Sequence, residues 1–169
     1  MRRLDIDGHE ILIDSEDFEL INGFNWRPLA LDGGLVYARA CRRRMHLYMH
    51  RLIIGAASGE EVDHKNGNGL DNRKDNLRIA THSQNLGNVG KLRVKRIPSS
   101  QYRGVCWDKS KNAWAVFIAA TDPYPNGRSK SKFVGRFANE VEAARAYDAA
   151  ATAKWGEFAR LNFEEGALR

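Results

Sequence analysis

A loop rich in glycine and asparagine, Lys65–Asn76, constrains the fold of this chain more than any other feature. Two short β-prone stretches, Glu61–His64 and Leu77–Ala80, flank it, and the loop is too polar and too rich in glycine to continue either of them. Directly afterwards, Thr81 and Gln84 have the spacing of a helix capping box. The order strand, long loop, strand, helix predicts a ββα unit.

Side chains suited to phosphodiester hydrolysis lie at both ends of this unit. Asp63 and His64 are adjacent at a strand end, so their side chains point to opposite faces, and Asn85 in the following helix can reach the Asp63 side. Hydrolysis needs a base that activates water and a cation that stabilises the pentacovalent phosphorus and the departing 3′ oxygen. The oxygen ligands of Asp63 and Asn85 suit Mg²⁺ or Mn²⁺ and not zinc.

Five short motifs surround these residues. They are His50-Arg51-Leu-Ile, Val62-Asp63-His64, Gly67-Asn68-Gly69-Leu-Asp71-Asn72-Arg73, Asn76-Leu-Arg78 and Gln84-Asn85. Taken singly, each has a purely structural explanation, since Asn/Gly loops are usually turns and Asp-His pairs are common. Together, with 13 positions from Asp63 to Asn76 and 22 from Asp63 to Asn85, they resemble the HNH endonucleases of phage and intron homing type.

The resemblance implies a ββα-metal fold and assigns roles within it. His64 would be the general base, Asp63 and Asn85 the metal ligands, and Asn76 the middle Asn of the HNH pattern, hydrogen-bonding across the loop to hold the two strands. The third position is Asn where other HNH branches have His, which is usual for the homing subgroup. The implied cofactor is a divalent cation, Mg²⁺ or Mn²⁺, and no structural zinc is expected.

Residues around this core have two interpretations each. His50, with Arg51 beside it, either contacts phosphate or packs a helix beneath the site, and His82 lies within a turn of Asn85 but has the character of a surface residue. Three basic side chains are expected to contact backbone phosphates, although a solvated basic face is the rival interpretation. They are Arg73, Lys74 and Arg78.

The C-terminal part of the chain predicts three strands and one helix. The β-prone stretches Tyr102–Trp107, Ala113–Ile118 and Lys132–Phe137 are separated by turn-forming residues. Asn139–Glu142 is a second capping box, and an alanine-rich helix runs from it to Lys154. Together with the Leu-Asn-Phe that follows, the segment is similar to the plant Apetala-type (ethylene-response-factor) DNA-binding domain, in which a three-stranded sheet lies in the major groove.

The resemblance implies a mode of DNA binding but not a target. Where the plant domains place base-reading Arg or Glu, this chain has Cys106, Phe117 and Ala119. Spacing alone leaves open which face of the sheet is outward, so core packing remains the alternative for both tryptophans of the strands. The candidate DNA contacts here are Arg103, Trp107, Lys109, Lys111, Trp114, Arg128, Lys130, Lys132 and Arg136.

Positive charge is concentrated in the third quarter of the chain. The chain has 27 Lys and Arg against 21 Asp and Glu, but positions 91–136 carry 11 basic and 2 acidic side chains, whereas positions 1–35 carry 3 and 8. This distribution favours a directed surface for a polyanion. The stretch Lys91–Ser100 is either a solvated connector or a basic strap along phosphates, with Arg93, Lys95 and Arg96 as its contacts.

The sequence therefore predicts an α+β protein in four segments. They are a β-rich segment at 1–45 with short strands at Glu10–Ile13 and Leu35–Ala38, the ββα-metal unit at 46–90, the basic linker at 91–99, and the Apetala-type domain at 100–165, a three-stranded antiparallel sheet packed on one helix. Short apolar runs and unpaired cysteines exclude a membrane span and a disulfide framework. A monomer without a signal peptide is expected, in the cytoplasm, or in the host cytoplasm if a phage encodes it.

The predicted function is a metal-dependent, site-biased DNA endonuclease of the homing type that nicks one strand of duplex DNA. The alternative is a non-catalytic DNA-binding regulator that retains an HNH-like scaffold. A third class, an RNA-binding module, fits the charge but neither set of motifs. The target sequence, the cleavage position and the role of residues 1–45 are open at this stage.

Overall fold

The computed structural model describes residues 1–31, 34–88, 99–120 and 130–163 of the 169-residue chain. The fold is α+β, as predicted, and the chain forms two compact units, Met1–Asn85 and Leu86–Arg169. The predicted basic linker with Arg93, Lys95 and Arg96 lies outside the described residues, and so does Arg128. Within the described residues, no helix combines the length and apolar character that crossing a membrane requires.

The first unit begins with an antiparallel hairpin of β1 (Arg2–Ile6) and β2 (His9–Ile13). A three-stranded antiparallel sheet follows, in the order β3, β4, β5. The bounds of these strands are β3 Arg27–Ala30, β4 Val36–Arg42 and β5 Met45–Tyr48. The short helix α1 (Phe18–Ile21) follows the hairpin along the chain, and α2 (Met49–Ile54) follows the sheet.

One hydrophobic core joins the N-terminal segment to the nuclease-like segment. Ile11 and Ile13 of β2, Met49 of α2 and Leu77 all belong to the same buried cluster. Trp26 is 7% exposed and donates its indole N–H to the carbonyl of Ile21. The limits predicted between segments 1–45 and 46–90 remain predictions, but the packing places both segments in one unit.

The ββα unit forms as the sequence predicts. Strands β6 (Glu61–His64) and β7 (Leu77–Ala80) pair antiparallel, and helix α3 (His82–Asn88) follows. The capping box is complete, because the Gln84 N–H reaches the Thr81 hydroxyl at 3.3 Å and the Gln84 side chain accepts the Thr81 N–H at 2.8 Å. The unsatisfied donors of the first helical turn are thereby paired.

The N-terminal hairpin braces the loop between β6 and β7. Leu12 forms a parallel bridge with Asp71 and exchanges backbone hydrogen bonds with Leu70 and Asn72. Farther along, the Lys74 ammonium lies 2.7 Å from Glu16 and 2.8 Å from Asp17. The acidic N-terminal segment thus contacts the loop through both its backbone and its charges.

The second unit is a three-stranded antiparallel sheet packed on one helix, as predicted. Its order is β10–β9–β8, with β8 Val105–Asp108, β9 Ala113–Ala119 and β10 Ser131–Phe137. Helix α4 (Glu140–Trp155) packs against this sheet. The helix side chains Ala143, Ala144 and Ala151 are fully buried. Because these side chains are small, the helix can approach the sheet closely.

Gly104 shows how tightly helix and sheet meet. Its φ is +73°, and a Cβ there would lie 2.1 Å from the Tyr147 ring of α4 and 2.7 Å from the carbonyl oxygen of Phe117. No side chain fits that space, and only glycine adopts that backbone conformation without strain. The turn into β8 therefore requires glycine at this position.

Candidate functional site

Asp63 and His64 occupy opposite faces of strand β6. In the register with β7, Asp63 lies opposite Arg78 and His64 lies opposite Leu77. Both side chains are buried, at 4% and 5% exposed. Because burying a polar or charged group without a partner is costly, the Asp63 and His64 side chains each need polar partners on their own face of the strand.

On the first face, Asp63 is paired with arginine. Its Oδ2 atom lies 2.8 Å from the Nε and 2.7 Å from the Nη2 of Arg78, whose side chain is only 13% exposed. Arg78 is therefore directed into the site, rather than toward solvent as a phosphate contact would be. Its predicted DNA-binding role remains a prediction.

Helix α3 brings a second set of polar groups to the same strand. The Asn85 amide donates to Glu61 Oε2 at 2.8 Å, and His82 lies 2.8 Å from Glu61 Oε1. Because strand side chains alternate, Glu61 shares its face with Asp63. The structure thus places Asn85 beside this strand, with a carboxylate between them that the sequence analysis did not single out.

The donor set on this face suits a hard divalent cation. Asp63 and Glu61 offer carboxylate oxygens and Asn85 an amide oxygen, the ligand types that Mg²⁺ and Mn²⁺ prefer. In the described part of the chain, no group of three or more His, Cys, Asp or Glu side chains is arranged to hold a metal. The assignment of Asp63 and Asn85 as ligands remains a prediction.

On the opposite face, two rings pack around the candidate base, His64. The ring centroid of His64 lies 5.1 Å from that of His50 and 5.7 Å from that of Tyr37, and His50 and Tyr37 are 5.2 Å apart. His64 Nε2 is also 3.5 Å from the Asn72 side-chain oxygen. Burial lowers the pKa of His64, while Asn72 and the neighbouring aspartates oppose that shift. The imidazole is therefore neutral near pH 7 and able to accept a proton.

His50 packs beneath this cluster, on helix α2. It is 8% exposed, and its Nδ1 atom is buried without a hydrogen-bond partner among the described residues. Burial, with the nearby His64 and Arg51, lowers the pKa of His50 to about 3. Of the two interpretations offered by the sequence, the position agrees with packing beneath the site.

The loop that carries these residues is held by Asn76. Its side-chain oxygen accepts the Asn66 N–H at 3.1 Å, and its amide donates to the Asp71 carbonyl at 2.7 Å. Its own backbone carbonyl accepts the N–H of Lys65 at 2.9 Å. These contacts span the loop in the way that the HNH resemblance implies for this residue.

Three other predicted residues of this unit have partners inside the protein. Arg73 forms a two-pronged ion pair with Asp71, at 2.7 and 2.6 Å, which raises the pKa of its guanidinium. Lys74 contacts the N-terminal acids described above, and they raise its pKa as well. Arg51 donates to the carbonyls of Ala57 and Glu60, so it secures the turn before β6.

In the second unit, the strand alternation settles which face of the sheet the helix covers. Val105, Val116 and Ile118 are buried, whereas Cys106 and Phe117, one position away on the same strands, are exposed. Helix α4 covers the first face, and the second is open. Trp107 and Trp114 are paired on the covered side, edge to face with ring centroids 4.9 Å apart, so core packing describes them better than groove contact.

The other predicted DNA contacts of this unit differ in exposure. Arg103 donates to the carbonyls of Leu86 and Gly87 at 3.1 and 2.9 Å, so it holds the backbone of its own unit. Lys130 is half-buried. The exposed cations of the predicted set are Lys109, Lys111, Lys132 and Arg136, of which Arg136 is ion-paired with Asp108 at 3.1 Å.

Three residues of these sites were missed in the sequence. Tyr37 lies in a β-prone run, where a tyrosine is usually a core residue, and only the tertiary fold places its ring beside His64. Glu61 carried a signal, since it is two positions before Asp63 and so shares its strand face. Phe133, on the open face of the C-terminal sheet, carried no such signal in the sequence, because spacing alone does not show which face of that sheet is outward.

Comparisons with known proteins match both regions of the chain. The HNH endonuclease family model matches residues 47–86, and the AP2 domain family model matches residues 100–157. Fold and site together thus define a protein with an HNH nuclease domain and an AP2 DNA-binding domain. No solved structure matches the chain.

Two curated proteins are similar to parts of the chain. Dehydration-responsive element-binding protein 2E of Arabidopsis thaliana is 38% identical over 74 residues, which are 40% of this chain and 29% of that protein. Protein 3.8 of Escherichia phage T7 is 31% identical over 88 residues, which are 52% of this chain and 70% of that protein. The chain belongs to the same family as the phage protein, and it spans less than a third of the plant protein.

Proposed function

We propose that the protein is a metal-dependent DNA endonuclease of the homing type that nicks one strand of duplex DNA. The observation that carries the proposal is the placement of Asp63 and His64 on opposite faces of β6, both buried, with Asn76 holding the loop between the strands. Such an arrangement separates a cation-binding face from a proton-accepting face.

Each residue has a distinct part in the proposed reaction. Neutral His64 accepts a proton from the water that attacks phosphorus in line, and the 3′ oxygen departs, leaving 5′-phosphate and 3′-hydroxyl ends. A divalent cation bound by Asp63 and Asn85 would supply electrostatic stabilisation of the charge on the phosphate and the leaving oxygen. Tyr37 and His50 pack against the His64 ring and limit its rotation.

The ion pair between Asp63 and Arg78 is consistent with a site whose side chains are in position before a cation binds. Arg78 holds the Asp63 carboxylate in position through this ion pair, and it competes with a cation for Oδ2. Weakening this pair is therefore expected to change the affinity for the cation.

DNA binding by the AP2 domain supplies the sequence bias of the proposed enzyme. Each chain has one ββα unit, so a monomer is expected to cut one strand, and two binding events would be needed to cut both. The two DNA-binding domains on one chain raise the effective concentration of each for neighbouring DNA.

Conversion of supercoiled plasmid tests the proposal. The wild type with Mg²⁺ is expected to produce open circles, whereas the same protein with EDTA, or the His64→Ala variant with Mg²⁺, leaves the plasmid supercoiled. The matched control is His46→Ala, which removes an exposed imidazole from β5 and is expected to nick as the wild type does.

Absence of cleavage would favour the alternative function, a non-catalytic DNA-binding regulator. If the wild type cuts with neither Mg²⁺ nor Mn²⁺, yet shifts the same DNA in a salt-dependent way, the chain is a DNA-binding protein on an HNH scaffold. Cutting by His64→Ala at the wild-type rate would instead keep the enzyme and remove His64 as its base.

A further inference from the structure

The open face of the C-terminal sheet is apolar at its centre. Phe117 and Phe133 lie opposite each other on β9 and β10, with ring centroids 5.6 Å apart, and remain 37% and 44% exposed. Cys106 and Ala115 form the neighbouring cross-strand pair on the same face. We call Cys106, Ala115, Phe117 and Phe133 the apolar face.

Arg136 lies on this apolar face, and its position is restrained. The Arg136 guanidinium carbon lies 4.8 Å from the centre of the Phe133 ring, and its Nε donates to Asp108 at 3.1 Å. Among the described residues of the face, Arg136 is the long side chain that can donate hydrogen bonds. A face of this kind has little means of reading base edges by hydrogen bonding.

The Cys106 thiol adds to the apolar character. Burial, with the nearby Asp108, raises its pKa, so the sulfur stays protonated and uncharged near neutral pH. A protonated thiol behaves as a small apolar group.

The charges around the face favour duplex DNA as its occupant. Lys109 and Lys111 lie at the turn between β8 and β9, and Arg136 lies on β10 opposite Ala115, all three of them exposed. Cations around an apolar centre match the chemistry of a DNA groove, where phosphates line the rims and base edges form the floor. Two-stranded and three-stranded β structures are of a size to enter the major groove.

We propose that the apolar face, centred on Phe117 and Phe133, reads thymine through its C5-methyl group. In the major groove that methyl is the apolar group that distinguishes a T·A pair from the other pairs, and apolar side chains are its usual contacts. This inference rests on the proposed DNA binding and adds the base class that the domain prefers.

The test compares thymine with uracil, which differ only in that methyl group. Duplexes are first enriched from a randomised library by the wild-type full chain, and the enriched sites are then synthesised with deoxyuridine at each thymidine. We expect enriched sites to share adjacent thymidines, and each methyl removed to weaken binding about fourfold, the usual worth of one buried methyl group.

Protein variants assign the effect to the face. Phe117→Ala is expected to bind thymidine and deoxyuridine duplexes alike, whereas Phe117→Leu retains part of the preference. Val141→Ala, which shortens an apolar side chain of α4 that is 38% exposed, keeps the full preference. Lys111→Ala, at the exposed turn between β8 and β9, is expected to lose affinity for both duplexes by the same factor, as a phosphate contact would.

The outcomes separate this inference from the proposed function. Equal wild-type affinity for thymidine and deoxyuridine duplexes, or enriched sites without thymidine, would overturn the thymine inference while leaving DNA binding intact. No enrichment and no gel shift would instead remove the DNA binding on which it rests. If Phe117→Ala does not fold, the comparison of duplexes with the wild type still decides.

Discussion

At the scale of single residues, the buried imidazole of His50 has a measurable consequence. A histidine that is 8% exposed, with one ring nitrogen unpaired among the described residues, is stable only in its neutral form. Its pKa is about 3 in the folded protein, against the ordinary value of 6.5. Folding and proton binding at this position are therefore opposed.

The sign of the effect on stability follows from linkage. Below pH 6.5 the unfolded chain takes up a proton at His50 that the folded chain does not, so the free energy of unfolding decreases as the pH falls toward about 3. This one group accounts for about 1.4 kcal/mol per pH unit over that window. His50→Phe, which keeps an aromatic ring, is expected to remove that part of the slope.

Urea unfolding at several pH values between about 7 and 4 measures the slope. His46→Phe is the matched control, because it removes an exposed imidazole and is expected to leave the slope as in the wild type. Identical slopes for His50→Phe and the wild type would contradict the assignment of a neutral, buried imidazole at position 50.

At the scale of elements, the α4 cap is the clearest local determinant of the second unit. Asn139 accepts the N–H groups of Val141 and Glu142 at 2.8 and 3.2 Å, which satisfies donors that a 16-residue helix would otherwise leave open. The helix in turn covers the sheet face of Val105, Val116 and Ile118. Loss of the cap thus weakens the whole unit.

Asn139→Ala is expected to lower the stability of this unit by about 1 kcal/mol, the usual cost of removing a helix N-cap. Urea unfolding followed by tryptophan fluorescence measures the change. Asn139→Asp is the control, since its carboxylate can accept the same two N–H groups. An unchanged midpoint for the alanine variant would mean that the cap contributes nothing to folding.

Most helices and strands that carry the two candidate sites could be predicted from the sequence. The strands around the Asn/Gly loop, the helix after Thr81 and all four elements of the second unit have strong local signals in turn residues and capping boxes. The short elements β1, β3, β5 and α2 were missed, because four to six residues carry too little periodicity to separate helix from strand.

The contacts of the nuclease-like site around His64 could be predicted only in part from the sequence. His64, Asp63, Asn76 and Asn85 follow one another at fixed spacing, so their proximity depends on local structure. The contacts of Tyr37 with His64 and of Asp63 with Arg78 depend on how strands pair and pack, which spacing does not encode. Arg103 was named as a DNA contact through the resemblance to the Apetala-type domain, whereas in the structure it donates to the backbone carbonyls of Leu86 and Gly87.

At the scale of the whole molecule, charge is distributed unequally between acidic and basic regions. The net charge of +6 conceals an acidic N-terminal region whose side chains partly neutralise the basic loop through Lys74. In the second unit, Lys109 and Lys111 are exposed at the turn between β8 and β9. The phosphate affinity of that unit should therefore depend on individual lysines.

Salt dependence measures the contribution of one such lysine. Lys109→Ala is expected to weaken DNA binding by the full chain and to reduce the slope of log affinity against log salt by about one. Arg145→Ala removes an exposed cation from α4 and is expected to leave the slope unchanged. Equal slopes for Lys109→Ala and the wild type would show that Lys109 contacts no phosphate.

The brace between the N-terminal hairpin and the loop also orders events during protein synthesis. Lys74 contacts Asp14 and Glu16 across 60 and 58 positions, so these contacts can form only after the ribosome has delivered both partners. Closing so long a stretch of chain carries an entropic cost that local strand pairing does not. We therefore expect a nascent chain to hold a folded hairpin well before it holds a complete site, which would delay the proposed nuclease activity until the first unit is complete.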